Sequence, residues 1–245
     1  MRTLRALYRL MGVLQWVLRG WWRVRMARGF VQSSPQDQAR EVEAWARGML
    51  RIMGIDVRIE GTPAVGPVLM AANHISWLDI LVMHAARHCR FVAKSEIRHW
   101  PLVGALTTAG QSLYIERASS RDALRVVHHM HAALMSGDVL GVFPEASTGS
   151  GVELLPFHGN LLQAAISADA PIQPVALRFV DAQTGEPSFA PCYIADDTLV
   201  GSLWRTLCAP PLLAQVRYGE SEHAQGRSRR EWAHDLRETI KRLLK

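Results

Sequence analysis

The chain lacks several features by which common classes of protein are identified. It has only three cysteines among 245 residues, Cys89, Cys192 and Cys208, and none of their spacings is that of a metal site. An odd number of distant cysteines is typical of free thiols in a reducing, cytoplasmic environment. The sequence therefore predicts neither a disulfide framework nor a cysteine-bound metal.

The sequence also has no long stretch rich in glycine, serine and proline, and no repeat at the period of a solenoid. A chain of this length with 49% apolar residues can bury one sizeable core. We therefore expect one main domain over residues 33–245, preceded by a terminal segment over residues 1–32.

Acidic residues are outnumbered by basic ones, 22 against 28, which gives a formal charge of +6 and a pI near 9.7. This balance favours an anionic partner. The arginines are concentrated towards the two ends of the chain. No nucleic-acid-binding motif is present, and aromatic residues do not interleave with basic ones as on a base-stacking surface. The pattern favours an anionic membrane surface over nucleic acid.

Residues 2–26 contain no proline and predict one amphipathic helix. Its longest uncharged run, residues 10–18, is far shorter than the roughly 20 residues that cross a bilayer. Leucines and tryptophans cover one side, and the other carries the arginines Arg2, Arg5, Arg9, Arg19 and Arg23. This pattern is typical of a helix that lies on a membrane surface, with packing against the protein's own core as the alternative. We expect the arginines to face anionic lipid and the tryptophans at positions 16, 21 and 22 to anchor at the headgroups.

The remaining sequence alternates short apolar strands with helices. Ser228 and Glu231 form a capping box that predicts a C-terminal helix. The pattern predicts an α/β domain, a mixed sheet flanked by helices, with functional side chains just beyond strand ends. Strands are predicted near residues 55–59, 68–72, 91–93, 113–115, 139–143, 172–179 and 212–218, and helices near residues 36–53, 77–87, 102–108, 121–135 and 160–167.

A histidine follows the buried strand 68–72 and stands at the start of a helix. Asp79 lies five residues after His74, so its carboxylate can reach back to one imidazole nitrogen. Such a pair fixes the imidazole tautomer and makes the other nitrogen a general base for a hydroxyl. The spacing alone is a weak signal, because an incidental histidine at a helix start has the same pattern.

Further segments make the signal specific, because they resemble the motifs of the glycerolipid acyltransferases, which include 1-acylglycerol-3-phosphate acyltransferase. The resemblance spans about residues 66–178. Its segments, in chain order, are Asn73 to Asp79, Lys94-Ser95-Glu96, Trp100 to Gly104, Tyr114-Ile115-Glu116-Arg117, Phe143-Pro144-Glu145, Pro156-Phe157 and Pro171 to Val175.

The resemblance implies O-acylation of a lysophospholipid hydroxyl, with His74 as general base and Asp79 as its partner. It implies direct attack on an acyl thioester, with acyl-CoA or acyl carrier protein as donor and without a cofactor or metal. Arg117 and Glu145 become acceptor contacts, and Lys94 and Ser147 are further candidates for substrate binding. Backbone N–H groups at residues 73–77 are candidate donors to the oxyanion. The expected location is the cytoplasmic face of the inner membrane, as a peripheral or monotopic protein.

One segment departs from the family pattern. Where the third motif has Gly-Thr-Arg, this chain has Ala146-Ser147-Thr148, so one phosphate-binding arginine is missing. The segments at residues 147–151 and 156–158 resemble those of family branches that acylate lyso-ornithine lipid and lack this arginine. The resemblance implies a lyso-ornithine or other amino-acid lysolipid as an alternative acceptor, and Arg178 is a candidate replacement for the lost charge. A non-catalytic lipid-binding protein is the alternative of another class. An esterase is disfavoured because no Gly-x-Ser-x-Gly elbow is present.

Two further histidines, His84 and His88, have a spacing that can bind a metal on one helix face. No third ligand is evident in the sequence around them. We therefore interpret them as surface histidines of the helix and expect no metal.

Overall fold

The computed structural model describes residues 2–26, 33–115 and 120–245. Its helices are α1 (Arg2–Met26), α2 (Pro35–Ile52), α3 (Leu78–Ala86), α4 (Val103–Ala109), α5 (Ser120–Met135), α6 (Gln163–Ser167), α7 (Leu199–Cys208) and α8 (Arg229–Leu243). Its strands are β1 (Ile55–Glu60), β2 (Val68–Ala72), β3 (Arg90–Lys94), β4 (Leu113–Ile115), β5 (Val139–Val142), β6 (Ile172–Asp181) and β7 (Leu212–Tyr218).

The strands form one sheet of seven in the order β1-β7-β6-β2-β5-β3-β4. Among the strands of the described residues, β6 and β7 pair antiparallel and the other neighbours pair parallel. The predicted mixed sheet flanked by helices is therefore confirmed. Strands β2 and β5 are parallel neighbours, with Ala71 opposite Val142. The segments that follow them consequently leave the same edge of the sheet side by side.

Strand β2 lies in the centre of the sheet, and all five of its residues are buried. Met70 packs in one hydrophobic cluster with residues of α2 and α3. Its neighbour Leu69 packs in a second cluster on the opposite face with residues of α5 and α8. This alternation follows from the period of two along a strand, and burial on both faces explains its unbroken apolar sequence.

Helices α1 and α2 are joined by a reciprocal pair of tryptophans. The indole N–H of Trp16 donates to the carbonyl of Trp45 at 3.0 Å, and the indole of Trp45 donates to the carbonyl of Trp16 at 3.4 Å. A Cβ added at Gly48 would lie 2.3 Å from the Trp16 ring, and one at Gly20 would lie 2.4 Å from the Trp45 ring. Because each ring needs a glycine opposite it, larger residues at these positions would separate the helices.

Two of the five arginines that were predicted to meet lipid, Arg5 and Arg9, lie instead on the inner face of α1, whereas Arg2, Arg19 and Arg23 are exposed. Arg9 is buried and donates to the carbonyls of Leu207 and Ala209 at 3.0 and 2.8 Å. Arg5 donates to the carbonyl of Cys208 at 2.9 Å. These carbonyls lie at the C-terminal end of α7, where unpaired acceptors and the helix dipole favour a cation.

The outer face of α1 is apolar and exposed to solvent. Trp22 on this face is 59% exposed, whereas Trp16 is packed inside, so the anchoring prediction is wrong for Trp16. None of the described helices is apolar enough over a sufficient length to cross a bilayer. The exposed large apolar side chains of α1 are Leu4, Leu7, Tyr8, Met11, Leu14, Leu18, Trp22 and Met26.

Two further predictions need correction. The sequence interpretation contained no helix between residues 191 and 212, where α7 begins after Thr198, whose side chain accepts from the N–H of Gly201. His84 and His88 are buried rather than on the surface, with their Nδ1 atoms 3.2 Å apart. Burial and then the charge of His88 lower the pKa of His84 to about 3. The separation at residue 32 of a terminal segment stays a prediction.

Candidate active site

His74 lies just beyond the carboxyl end of β2, beside the segment that follows β5. Its ring stacks on Phe143, the first residue after β5, with ring centroids 4.0 Å apart and planes 10° apart. Phe143 in turn stacks on Phe91 of β3 at 5.5 Å. The imidazole, which follows β2, thus packs against an apolar wall formed by Phe143 after β5 and Phe91 of β3.

Asp79, in the first turn of α3, pairs with the imidazole as the spacing predicts. Its Oδ2 lies 2.8 Å from Nδ1 of His74, and the carboxylate is fully buried. A carboxylate only accepts hydrogen bonds, so this contact places the proton on Nδ1 and the lone pair on Nε2. His74 retains limited exposure, with 19% of its side chain accessible. One nitrogen is therefore oriented, and the other is the basic atom of the site.

The same carboxylate oxygen also orders the backbone of the turn. Oδ2 of Asp79 accepts from the N–H of Ile75 at 2.6 Å and of Ser76 at 2.9 Å. The N–H of His74 donates to Glu145 at 2.7 Å. Because these three groups already have acceptors, the expectation that they bind the oxyanion is wrong.

Asn73 fixes the strand end from which His74 projects. Its side-chain oxygen accepts from the N–H of Leu177 at 2.7 Å, and its side-chain nitrogen donates to the carbonyl of Leu177 at 3.0 Å. Leu177 belongs to β6, so the amide extends the pairing of β2 with β6 beyond the last paired residue, Ala72. The sequence interpretation gave the side chain of Asn73 no role, and the available signals were its place in the first motif segment and directly after a buried strand.

Glu145 supports His74 through the backbone. Its Oε1 accepts from the N–H of His74, and its Oε2 accepts from the N–H of Leu155 at 2.7 Å. The N–H of Gly149 donates to the carbonyl of His74 at 2.8 Å. Burial raises the pKa of Glu145, opposed by these backbone donors. Both carboxylate oxygens are thus engaged within the protein, and the assignment of Glu145 to acceptor binding has no support from its contacts.

A cavity of about 520 Å³ opens beside His74. This volume is within the range of roughly 300–1,000 Å³ that small-ligand sites occupy. Most of its wall is apolar, and its polar side chains other than His74 are His158 and Asn160. The lining residues include Ile80, Phe91, Val92, Val126, Phe143 and Leu161. An apolar chain with one reactive polar end matches this arrangement.

Thr148, where the family pattern has arginine, makes an internal contact. Its hydroxyl donates to the carbonyl of Tyr193, and the N–H of Tyr193 donates to the carbonyl of Ile75. Tyr193, in the segment before α7, thereby joins the segment that follows β5, at Thr148, to the turn that carries His74, at Ile75. The hydroxyl stabilises this wall and supplies no charge to an acceptor.

The remaining predicted residues divide into three groups. Arg117 lies outside the described residues, and Lys94 is described only through its backbone in β3. Ser147 is exposed in the segment after Glu145. Arg178 faces the C-terminal helix and donates to the carbonyl of Leu244 at 3.5 Å, so it does not replace the lost charge beside His74. Within the part of the chain that the structure describes, no cluster of three or more potential ligands is placed to hold a metal.

Comparison with known proteins gives the same family as the motifs. Residues 54–178 match the acyltransferase family model. The 1-acyl-sn-glycerol-3-phosphate acyltransferase of Neisseria meningitidis serogroup B is 38% identical over 194 residues, which cover 78% of this chain and 75% of that protein. The lyso-ornithine lipid O-acyltransferase of Pseudomonas aeruginosa is 32% identical over 200 residues, which cover 82% and 76% of the two chains.

A solved structure supports the architecture. The crystal structure of the 1-acyl-sn-glycerophosphate acyltransferase of Thermotoga maritima superposes with a TM-score of 0.71 over all of this chain and 96% of that one. The two sequences are 20% identical, so this likeness concerns the fold. Together with the family match and the relatives, the His74–Asp79 pair at the end of a central strand leads to one conclusion: the chain belongs to the acyltransferase family.

Proposed function

We propose that the protein transfers a fatty acyl group from a thioester to the hydroxyl of a lysolipid, with His74 as general base. The observation that carries the proposal is the 2.8 Å contact between His74 Nδ1 and Asp79 Oδ2, beside an apolar cavity that His74 lines. The contact leaves Nε2 as the basic nitrogen of a residue that borders a space suited to an acyl chain. Asp79 stabilises the positive charge that the imidazole acquires.

The chemical step balances with these two residues. Nε2 of His74 removes the proton of the acceptor hydroxyl, and the oxygen bonds to the thioester carbonyl carbon. The tetrahedral intermediate then collapses with cleavage of the carbon–sulfur bond. The leaving thiolate takes the proton from the imidazolium, which returns His74 to its starting state. No enzyme nucleophile, cofactor or metal is required, and either acyl-CoA or an acyl carrier protein can supply the thioester.

The first candidate acceptor is a 1-acylglycerol-3-phosphate, as for the relative from Neisseria meningitidis. Arg117 and Lys94 are the proposed contacts to its phosphate, because a guanidinium can bind a phosphate through two parallel hydrogen bonds. Ser147, which is exposed in the segment after Glu145, is a further proposed contact. We propose that Glu145 contributes to the acceptor site indirectly, since its two oxygens hold the backbone N–H groups of His74 and Leu155.

A second candidate is lyso-ornithine lipid, on which the relative from Pseudomonas aeruginosa acts according to its name. The observation in its favour is Thr148, whose hydroxyl is bound to Tyr193 where the family pattern supplies a cation. An acceptor without a phosphate monoester has less need of that charge.

We also propose that the protein works at the surface of an anionic membrane, on the cytoplasmic face of the inner membrane. The eight exposed apolar side chains on the outer face of α1 are the kind of surface that an amphipathic helix buries in the headgroup region. Helix α1 contains no acidic residue, and Arg19 and Arg25 are exposed. The proposed lysolipid acceptor, which carries an acyl chain, also resides in such a membrane.

The experiment is acyl transfer by purified protein on anionic vesicles from one labelled acyl thioester. The two candidate acceptors are offered separately, with His74→Ala as the test variant and His234→Ala, an exposed histidine of α8, as the matched control. We expect His74→Ala to lower kcat on the order of a thousandfold, within the range for loss of a general base. His234→Ala should retain full activity.

The acceptor that gives product decides between the two candidates. Product from 1-acylglycerol-3-phosphate assigns the first, and product from lyso-ornithine lipid alone assigns the second. Substantial transfer by His74→Ala would contradict the mechanism. Absence of transfer by the unmodified protein from both acceptors, with acyl-CoA and acyl carrier protein each tried, would favour a non-catalytic lipid-binding protein.

A further inference from the structure

The segment between β5 and α6 forms hydrogen bonds with both backbone groups of His74, its N–H and its carbonyl. Glu145, near its start, accepts from the N–H of His74, and the N–H of Gly149 binds the carbonyl of the same residue. At its far end, the N–H of Leu155 binds the second oxygen of Glu145. The segment contains no strand or helix between residues 145 and 158. Its geometry therefore depends on contacts with other elements.

One of those contacts comes from the C-terminal helix. Arg237 of α8 donates through Nη2 to the carbonyl of Leu154 at 2.6 Å and through Nε to the carbonyl of Leu155 at 3.1 Å. Its remaining Nη1 donates to Glu238 at 3.1 Å. The guanidinium is thus fixed by its own neighbour and binds two consecutive carbonyls. The side chain is about one quarter exposed, at 28%.

A continuous path of hydrogen bonds joins α8 to the imidazole-bearing residue. It runs from the Arg237 guanidinium to the backbone of Leu155, from the N–H of Leu155 to Glu145, and from Glu145 to the N–H of His74. Each link is 3.1 Å or shorter. The matched family region ends at residue 178, so α8 lies outside it.

We propose that Arg237 is a positioning residue for acyl transfer, which fixes Glu145 and the backbone of His74 by holding the carbonyls of Leu154 and Leu155. The inference rests on the proposed function. Arg237 does not touch the reacting atoms. It keeps the Leu155 N–H directed at Glu145, so that the buried carboxylate keeps both partners and the turn keeps its place. A displacement of about 1 Å at a reacting group can lower a rate by roughly a hundredfold.

The test compares kcat and KM of Arg237→Ala and Arg237→Lys with the unmodified protein. We expect Arg237→Ala to lower kcat roughly tenfold, with KM for both substrates changed less than twofold, because positioning acts on the transition state. Arg237→Lys should recover part of the loss, since an ammonium can still donate to these carbonyls. Arg242→Ala, at an exposed arginine of the same helix, is the matched control and should keep normal kinetics.

Two further measurements separate positioning from general loss of stability. Leu236→Ala removes a buried side chain of α8 that packs in the hydrophobic cluster with α5, of which Leu154 and Leu155 are not members. It should lower the unfolding temperature at least as much as Arg237→Ala and leave kcat normal well below that temperature. Amide hydrogen exchange at Leu155 and His74 should be faster in Arg237→Ala and unchanged in Leu236→Ala.

The outcomes distinguish this inference from the proposed function. Normal kcat and normal exchange at Leu155 in Arg237→Ala, in a protein that transfers acyl groups, would overturn the role of Arg237 alone. An equal loss of kcat in Leu236→Ala would also overturn it, because general destabilisation would then suffice. A protein without transferase activity overturns the proposed function, and faster exchange in Arg237→Ala would still show the structural link.

Discussion

The turn at residues 73–79 and the outer face of α1 depart from the usual pattern of burial in opposite directions. The turn buries a carboxylate, and the outer face of α1 exposes large apolar side chains to solvent. At the turn, the charged group of Asp79 is fully buried and its Oδ2 contacts three nitrogen atoms. On α1, large apolar side chains face solvent while Arg9 is buried against carbonyls. A buried carboxylate carries a solvation cost that its hydrogen bonds must offset, so its presence indicates a chemical task. A continuous apolar helix face in water indicates a partner that is not water.

The largest expected effect is at the turn, where Asp79→Asn tests whether charge or shape is needed. An asparagine oxygen can still accept from Ile75 and Ser76, so the backbone of the turn should be retained. It no longer stabilises the imidazolium with a negative charge, and it can favour the wrong tautomer of His74. We expect kcat to fall on the order of a thousandfold, somewhat less than the loss for the corresponding change in a Ser-His-Asp site.

The measurement is acyl transfer from a labelled thioester, with thermal unfolding recorded alongside. Asn73→Asp, which changes a buried side chain two residues from Ile75, is the contrasting variant. It should unfold at a lower temperature because it places a new charge against the Leu177 carbonyl. If the activity of Asp79→Asn were within tenfold of normal, the negative charge of Asp79 would not be required for catalysis. Its main role would then be to order the backbone of the turn.

The next effect concerns the outer face of α1 and is measured as membrane affinity. Leu14→Glu with Leu18→Glu places two charges on the face that we propose enters the headgroup region. Each buried leucine contributes about 1.5–3 kcal/mol, so the double variant should bind anionic vesicles at least about a hundredfold more weakly. Co-sedimentation with vesicles measures this directly.

The matched control puts the same charges on another exposed apolar pair. Leu124→Glu with Met135→Glu changes α5, where both side chains are exposed. Its vesicle binding should be normal. Arg9→Met tests the inner face of α1 instead, and should lower the free energy of unfolding by about 1–3 kcal/mol because two buried carbonyls lose their donor. Equal weakening by the α5 pair would mean that α1 is not the membrane-binding element.

The range of the deciding contacts explains what could be predicted. The pairing of His74 with Asp79 lies within seven consecutive residues, so its spacing together with the other motif segments was sufficient to predict it. The strands and most helices follow from local periodicity, and the mixed sheet from their alternation. Which face of α1 turns inward depends on carbonyls about 200 residues away, at 207 and 208. Periodicity separates the two faces of a helix, but it cannot state which one the rest of the chain covers.

The roles of Glu145 and Thr148 were beyond prediction for the same reason. Their motif places them near His74, but whether a carboxylate binds substrate or a backbone N–H depends on distances that only the fold sets. Helix α7 did have a local signal that was missed. Thr198 is an N-cap residue, and Leu199, Leu203 and Leu207 repeat at intervals of four.

The smallest effect tests a third buried polar site, the pair of His84 and His88, which stabilises the fold only while it is neutral. Their Nδ1 atoms are 3.2 Å apart, and His84 packs edge-on against Phe91. Around His88 lie Glu43, Gln111, Arg87 and Arg90, so one acidic and two basic groups face the pair. Burial lowers the pKa of both histidines, that of His84 to about 3. Protonation therefore opposes folding.

Because the folded pKa of His84 lies below its ordinary value of about 6.5, its contribution is fully present above pH 6.5 and is lost as pH falls towards 3. Between pH 8 and pH 5 this amounts to roughly 2 kcal/mol of unfolding free energy. His84→Gln keeps a hydrogen-bonding side chain that does not titrate, so its stability should fall less over this interval in urea unfolding. His234→Gln, at an exposed histidine, should behave as the unmodified protein. If His84→Gln lost as much unfolding free energy between pH 8 and pH 5 as the unmodified protein, groups other than His84 would be responsible for the acid sensitivity. A smaller loss would show that burial of this pair keeps its imidazoles neutral in the folded protein.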